Sequence, residues 1–188
     1  MYIENKEIEV RFLEISKPLL LKKLTELGAE DLGEDLLEEI IFYDKEYKWR
    51  DVEGKFVRLR KSKKNTIMAY KHHKSETLNG VEEIEFNVTN SDKAKLFLER
   101  LGLVAFRHQQ KIRHSFRLDD VIVDIDTWPK IPTYVELEGS SELELKKVAK
   151  QLELNWENVV FESARTIIEQ RYNIPVSSMK WFTFDKFE

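Results

Sequence analysis

The chain has 188 residues, with 31 basic against 35 acidic side chains and a net charge of -4. That length suits one domain, 1–188, with a full hydrophobic core, and the near-balance of charge argues against a general nucleic-acid or membrane-surface binder. Cysteine is absent, which excludes disulfides, thiolate zinc sites and cysteine nucleophiles together, and no apolar run is long enough to span a bilayer, so a soluble cytoplasmic protein is the expectation.

Residues 2–15 are predicted as the first strand, with Glu7, Glu9 and Arg11 on one face and Ile8, Val10 and Phe12 on the other. Ser16 then signals a helix start with Pro18 in its first turn, Leu20, Leu24 and Leu27 form its apolar stripe, and Gly28 ends it. A second strand, about Leu36–Asp44, leads through a polar turn to a third at Lys55–Lys61, where Phe56, Arg58 and Arg60 oppose Val57 and Leu59. The fourth, Thr66–His72, puts Lys71 on a face with Ile67 and Ala69. The fifth, Val81–Val88, sets Glu83 and Glu85 opposite Ile84 and Phe86.

Ser91 is the expected cap of a second helix ending at Gly102. Strand six, about Val104–Leu118, carries Lys111 and Arg113 on one face, and Asp119-Asp120 turns it into a hairpin over Val121–Gly139. In that hairpin Val121, Val123 and Ile125 oppose Asp124 and Asp126, and Val135 and Leu137 alternate with Glu136 and Glu138. Ser141 with Glu144 forms a capping box for a third helix, and Glu162–Tyr172 reads as a fourth. The aromatic tail after Tyr172 is expected to dock on the strands rather than hang free.

Eight strands joined mostly by short turns point to an α+β fold: an eight-stranded antiparallel closed β-barrel with helices packed outside. Amphipathic helices cover the apolar faces, so the charged faces line the lumen. That lumen receives Glu7, Glu9, Glu83, Glu85, Asp124, Asp126, Glu136 and Glu138, together with Arg11, Arg58, Arg60, Lys71, Lys111 and Arg113. Two carboxylates about 5 Å apart repel by roughly 3 kcal/mol at an effective dielectric of about 20. Stability alone does not favour such a cavity. Divalent cations among the acids and a polyanion among the bases resolve the conflict, and oxygen-only ligands suit Mg²⁺ or Mn²⁺.

Glu7-Ile8-Glu9-Val10-Arg11 resembles the ExExK signature of the CYTH superfamily, the triphosphate tunnel metalloenzymes. The likeness continues through Arg58-Leu59-Arg60, Lys71, Glu83-Ile84-Glu85, Lys111-Ile112-Arg113 and the stretch from Val123 to Glu138. The Ile125–Gly139 stretch and the Arg-Tyr-Asn-Ile-Pro tail look most like the class IV adenylate cyclase-like branch. The resemblance implies a tunnel that binds a triphosphate and a divalent metal, and it makes a homodimer an expectation that no apolar pattern in the sequence carries. Two positions depart from the pattern. Arg11 stands where the signature has lysine, and a guanidinium does not readily give up a proton. Glu83 stands where some members carry a basic residue.

On this reading Glu7, Glu9, Asp124, Glu136 and Glu138 hold Mg²⁺ or Mn²⁺. Arg11, Arg58, Arg60, Lys71, Lys111 and Arg113 bind triphosphate oxygens, and Glu85 orients a neighbouring base or water, joining Glu7, Glu9 and Arg11 as the expected catalytic set. ATP cyclisation is the first choice. Hydrolysis of tripolyphosphate, thiamine triphosphate or a nucleoside triphosphate is the alternative, and a catalytically silent polyphosphate or nucleotide binder the third. No phosphate-binding loop of the G-x-x-x-x-G-K-[ST] kind is present.

Overall fold

The computed structural model describes residues 8–74 and 81–188; Glu7, expected above as a metal ligand and catalytic residue, lies outside them. Strand β1 (Ile8–Phe12) leads to α1 (Lys17–Glu26) and the long β2 (Glu30–Asp44). Then come β3 (Lys55–Lys61), β4 (Thr66–His73), β5 (Val81–Val88) and α2 (Ser91–Arg100). The rest is β6 (Leu103–Leu118), β7 (Val121–Thr127), β8 (Tyr134–Gly139), α3 (Glu142–Gln151), α4 (Ala164–Tyr172) and a short β9 (Trp181–Phe182). The main path of the sheet is β1-β8-β7-β6-β2-β3-β4-β5, so the fold is α+β with an eight-stranded antiparallel sheet.

Several boundaries differ from the sequence expectation. Strand β2 begins at Glu30, not Leu36, because Glu30–Asp35 is mostly exposed and lacks apolar alternation; it accommodates Gly33 at φ 102°, whose N–H donates to Asp31 Oδ1 at 2.8 Å. The cap of α2 is Asn90, which accepts from the Lys93 N–H at 2.8 Å, and Ser91 is the first helical residue. Ser163 caps α4, so that helix starts two residues later than expected. The tail adds the unforeseen β9, parallel to β6 at His108 and Gln109, with Phe182 fully buried.

The contacts divide the chain into two compact units, cutting β2 after Glu34 and β6 after Lys111. The first holds β1, α1, β7, β8 and α3 with the adjoining parts of β2 and β6. Its core joins Val10 and Phe12 of β1 to Val123, Ile125, Val135 and Leu137, roofed by Leu20 and Leu24 of α1 and by Leu145 and Val148 of α3. Gly139 ends β8 where a Cβ would lie 3.2 Å from Leu145 Cδ2 and 3.3 Å from Val121 Cγ2, so a side chain there would press on the helix. The second unit packs Phe42, Val57 and Leu59 beneath Leu98 of α2. In the first unit the apolar sheet face is helix-covered, which leaves the other to the charges; in the second, Leu98 covers Phe42, Val57 and Leu59, while Ile84 and Phe86 are exposed. No helix among the described residues is long and apolar enough to cross a membrane.

Candidate functional site

In the first unit, register aligns the charged positions across three strands. Glu136 of β8 faces Arg11 on one side and Asp124 on the other, and Glu138 faces Glu9. One strand further, Asp126 faces Arg113 and Asp124 faces Ser115. Five carboxylates thus share a face with two guanidinium groups. Arg11, only 4 % exposed, reaches Glu9 Oε1 and Glu136 Oε1 through Nη2, both at 2.6 Å, and donates from Nη1 to the Glu162 carbonyl at 2.9 Å. Arg113 grips Asp126 with two parallel bonds of 2.7 Å and also contacts Asp124 and Glu136. Ser115 Oγ donates to Asp124 at 2.6 Å.

Burial works against the charge of Arg113, but Asp126, Asp124 and Glu136 outweigh it and hold its pKa well above the ordinary value. Arg11 is raised in the same way, burial being overcome by Glu9 and Glu136. Asp124 shifts the other way for an acid: burial raises it, only partly offset by Arg113. Burial, then Glu136 and Asp126, also raise Tyr134, whose hydroxyl accepts from Trp128 Nε1 at 2.9 Å.

The second unit is basic. Register places Glu39, Ile41, Arg58, Arg60, Lys71, Glu83 and Glu85 on one face of β2 to β5. Lys71 Nζ lies 2.7 Å from Glu83, and Arg58 Nη2 lies 3.3 Å from Glu83 and 3.8 Å from Glu85. Arg60 Nε donates to Glu39 Oε1 at 2.7 Å, while Gln109 Nε2 donates to Glu39 Oε2 at 2.5 Å. Behind Gln109, Arg107 donates to its Oε1 at 2.8 Å and to the Val176 carbonyl at 2.9 Å. Lys111 is buried and close enough to Glu39 to act on its charge. Burial lowers the pKa of Arg58, and Arg60 adds to the effect.

Glu39 sits 3 % exposed among these cations. Burial alone would raise its pKa, but Arg60, Arg58 and Lys111 together hold it well below the usual carboxylate range. A depressed acid stabilises the fold above its unfolded-state value of about 4.5 and loses that contribution as pH falls below it. Asp124, being raised, acts with the opposite sign: its contribution is present below about 3.8 and is lost as pH rises through its folded-state value. Urea melts across pH 6 to 3 should therefore show Glu39→Gln with a shallower acid loss than wild type. Parallel curves would refute the assignment.

The structure brings the expected site residues together in two groups. Glu9, Arg11, Arg113, Asp124, Asp126, Glu136 and Glu138 meet in the first unit, and Arg58, Arg60, Lys71, Lys111, Glu83 and Glu85 lie in the second. Glu39, Gln109 and Arg107 were missed. The signal available was a lone acid among the apolar Leu37, Ile41 and Tyr43 of one strand face, opposite an Arg-x-Arg strand. His114 pairs with Asp31 at 2.9 Å, His108 stacks on Trp181, and His72 lies 3.5 Å from Glu82. For a metal, the donors Glu9, Asp124, Glu136 and Glu138 offer oxygen only, the chemistry that hard divalent cations take. Among the described residues no group of three metal-ligating side chains stands ready, and Arg11 and Arg113 engage oxygens of Glu9, Asp124 and Glu136.

The CYTH domain model matches residues 5–167. The chain belongs to the CYTH family. CYTH proteins are metal-dependent and bind triphosphate substrates. Solved structures share the CYTH fold seen here. A protein of Pyrococcus horikoshii OT3 aligns with a TM-score of 0.69 and 23% identity, covering 84% of this chain and 96% of its own. A proposed adenylate cyclase from Vibrio parahaemolyticus gives 0.72 and 18%, covering 87% and 97%. A proposed adenylyl cyclase from Hippeastrum, with a dominant triphosphatase activity, gives 0.61 and 16%, covering 89% and 95%. No curated protein sequence matches the chain.

Proposed function

We propose that this CYTH protein is a divalent-metal-dependent enzyme acting on a triphosphate-bearing substrate in a closed β-barrel tunnel. The reaction we assign is conversion of ATP to cyclic AMP and pyrophosphate. The observation that carries the reading is the sorting of charge: carboxylates gathered on one strand face, and Arg58, Arg60, Lys71 and Lys111 gathered on another. Glu9, Asp124, Glu136 and Glu138, with Glu7, would hold Mg²⁺ or Mn²⁺, which neutralises phosphate charge and acidifies a nucleophile when bound. Arg58 and Arg60 offer planar forks to phosphoryl oxygens, and Lys71 and Lys111 add point charges. Arg11 and Arg113 hold the carboxylates in place and join the phosphate grip by exchanging partners. Glu85, 3.8 Å from Arg58, steers that guanidinium.

Cyclisation forms a bond from the ribose 3′-oxygen to the α-phosphorus and breaks the α–β bridge; pyrophosphate leaves and the 3′-hydroxyl proton goes to solvent. Arg11 stays protonated, so it cannot draw a proton from water as a lysine base could. That favours a nucleophile already seated by the substrate. Hydrolysis of tripolyphosphate or thiamine triphosphate is the second reading, favoured by the dominant triphosphatase activity of the Hippeastrum protein.

Incubation with Mg²⁺ or Mn²⁺ and, separately, ATP, tripolyphosphate and thiamine triphosphate decides the matter by chromatography. Cyclic AMP with equimolar pyrophosphate is the expected product. Orthophosphate from tripolyphosphate without cyclic AMP from ATP would replace the cyclase with the triphosphatase. Binding without any product would leave a silent polyphosphate or nucleotide binder.

A further inference from the structure

The acids Glu83 and Glu85 are at least a third exposed or close to it, whereas Glu39 is almost completely buried beneath the basic face. Its two oxygens are spent on different partners, Arg60 Nε and Gln109 Nε2. The bond to Arg60 is made only through Nε, and among the described residues the two terminal nitrogens of that guanidinium have no hydrogen-bond partner. A fork held by its Nε edge presents both Nη groups in one fixed plane, the geometry that meets two phosphate oxygens at once. Glu39 cannot swing away, because Gln109 holds its second oxygen, Arg107 holds Gln109, and the Val176 carbonyl holds Arg107. Val176 lies beyond residues 5–167, the part matched by the CYTH model, so the anchor comes from the segment after it.

Building on the proposed function, we infer that Glu39 is a positioning residue: it aims Arg60 at a phosphate of the substrate, and the Gln109–Arg107–Val176 chain fixes its own aim. It touches no substrate. A carboxylate that merely offset the charge of Arg58 and Arg60 would weaken polyanion binding, and its loss would tighten it. A positioning carboxylate has the opposite signature.

The test measures tripolyphosphate affinity of the full chain by calorimetry with Mn²⁺ present, for wild type, Glu39→Gln and Glu39→Asp. Loss of one ordered charge-assisted fork predicts about tenfold or greater weakening in Glu39→Gln. Glu39→Asp should recover part of it, and Mn²⁺ affinity without polyphosphate should stay unchanged, because the carboxylates proposed for the metal lie in the other unit. Equal or tighter tripolyphosphate binding by a folded Glu39→Gln overturns the inference and leaves the proposed function intact. No tripolyphosphate binding by the wild type overturns the proposed function first.

Should Glu39→Gln not fold, nitrogen-detected NMR of the unaltered protein reads the same contact. The Arg60 Nε–H should exchange slowly with solvent, unlike that of the exposed Arg100, and tripolyphosphate should move the Arg60 Nη signals while leaving Nε in place. Exchange as fast as Arg100 rejects the pin.

Discussion

Val135→Asp should unfold the protein. Val135 has no solvent exposure and lies in register between Phe12 and Ile125, so a carboxylate there has apolar neighbours on both flanking strands and a helix layer above. Burying an unpaired carboxylate costs several kcal/mol even after it takes up a proton, against a total stability of about 5–15 kcal/mol for a domain. The next residue supplies the control. Glu136 points to the charged face, so Glu136→Gln should keep the fold while loosening Arg11 and Arg113. Circular dichroism melts of both variants check this, and a Val135→Asp protein that melts within a few degrees of wild type would reverse the assignment of faces.

Arg113→Met should be the most damaging change on the charged side. It strands Asp124, Asp126 and Glu136, all under a tenth exposed, without their shared cation. Removing one partner of a buried ion pair costs about 3–5 kcal/mol. The sign of its pH dependence is diagnostic. Burial already raises Asp124 against the pull of Arg113, so without that cation its folded-state pKa rises further, folding takes up a proton, and the deficit relative to wild type should shrink as pH falls from 7 to 5. Urea titrations at the two pH values measure it; a deficit that grows on acidification would mean that the acids are not stranded.

Strand parity alone located Glu9, Arg11, Asp124, Asp126, Glu136 and Glu138 on one face, because alternation is a local property and each strand is amphipathic. Partner choice is not local. Arg11 and Arg113 looked like free phosphate ligands until register set them beside Glu136 and Asp126. Glu39 escaped notice because its partner Arg60 sits across a strand pair, while its neighbours of the same parity on β2, Leu37, Ile41 and Tyr43, are apolar. The two-residue β9 has no periodicity to detect; it exists because β6 offers its backbone at His108 and Gln109. Helix positions were legible from capping residues, and the error at α2 arose because Asn90, next to the expected Ser91, takes the cap.

The pairing of β1 with β8 bears on how the protein is made. Ile8 finds Gly139, and the Arg11 backbone exchanges bonds with Val160, so β1 meets its strand partner only after β8 and everything between them has been made. At about 5–20 residues per second that delay is on the order of ten seconds. During it Val10 and Phe12 lie bare on an unpaired edge, the kind of segment that recruits neighbouring chains. Glu9 and Arg11, interleaved with them, put alternating charge along that edge before any ligand is present, and so guard the nascent strand against pairing with another copy.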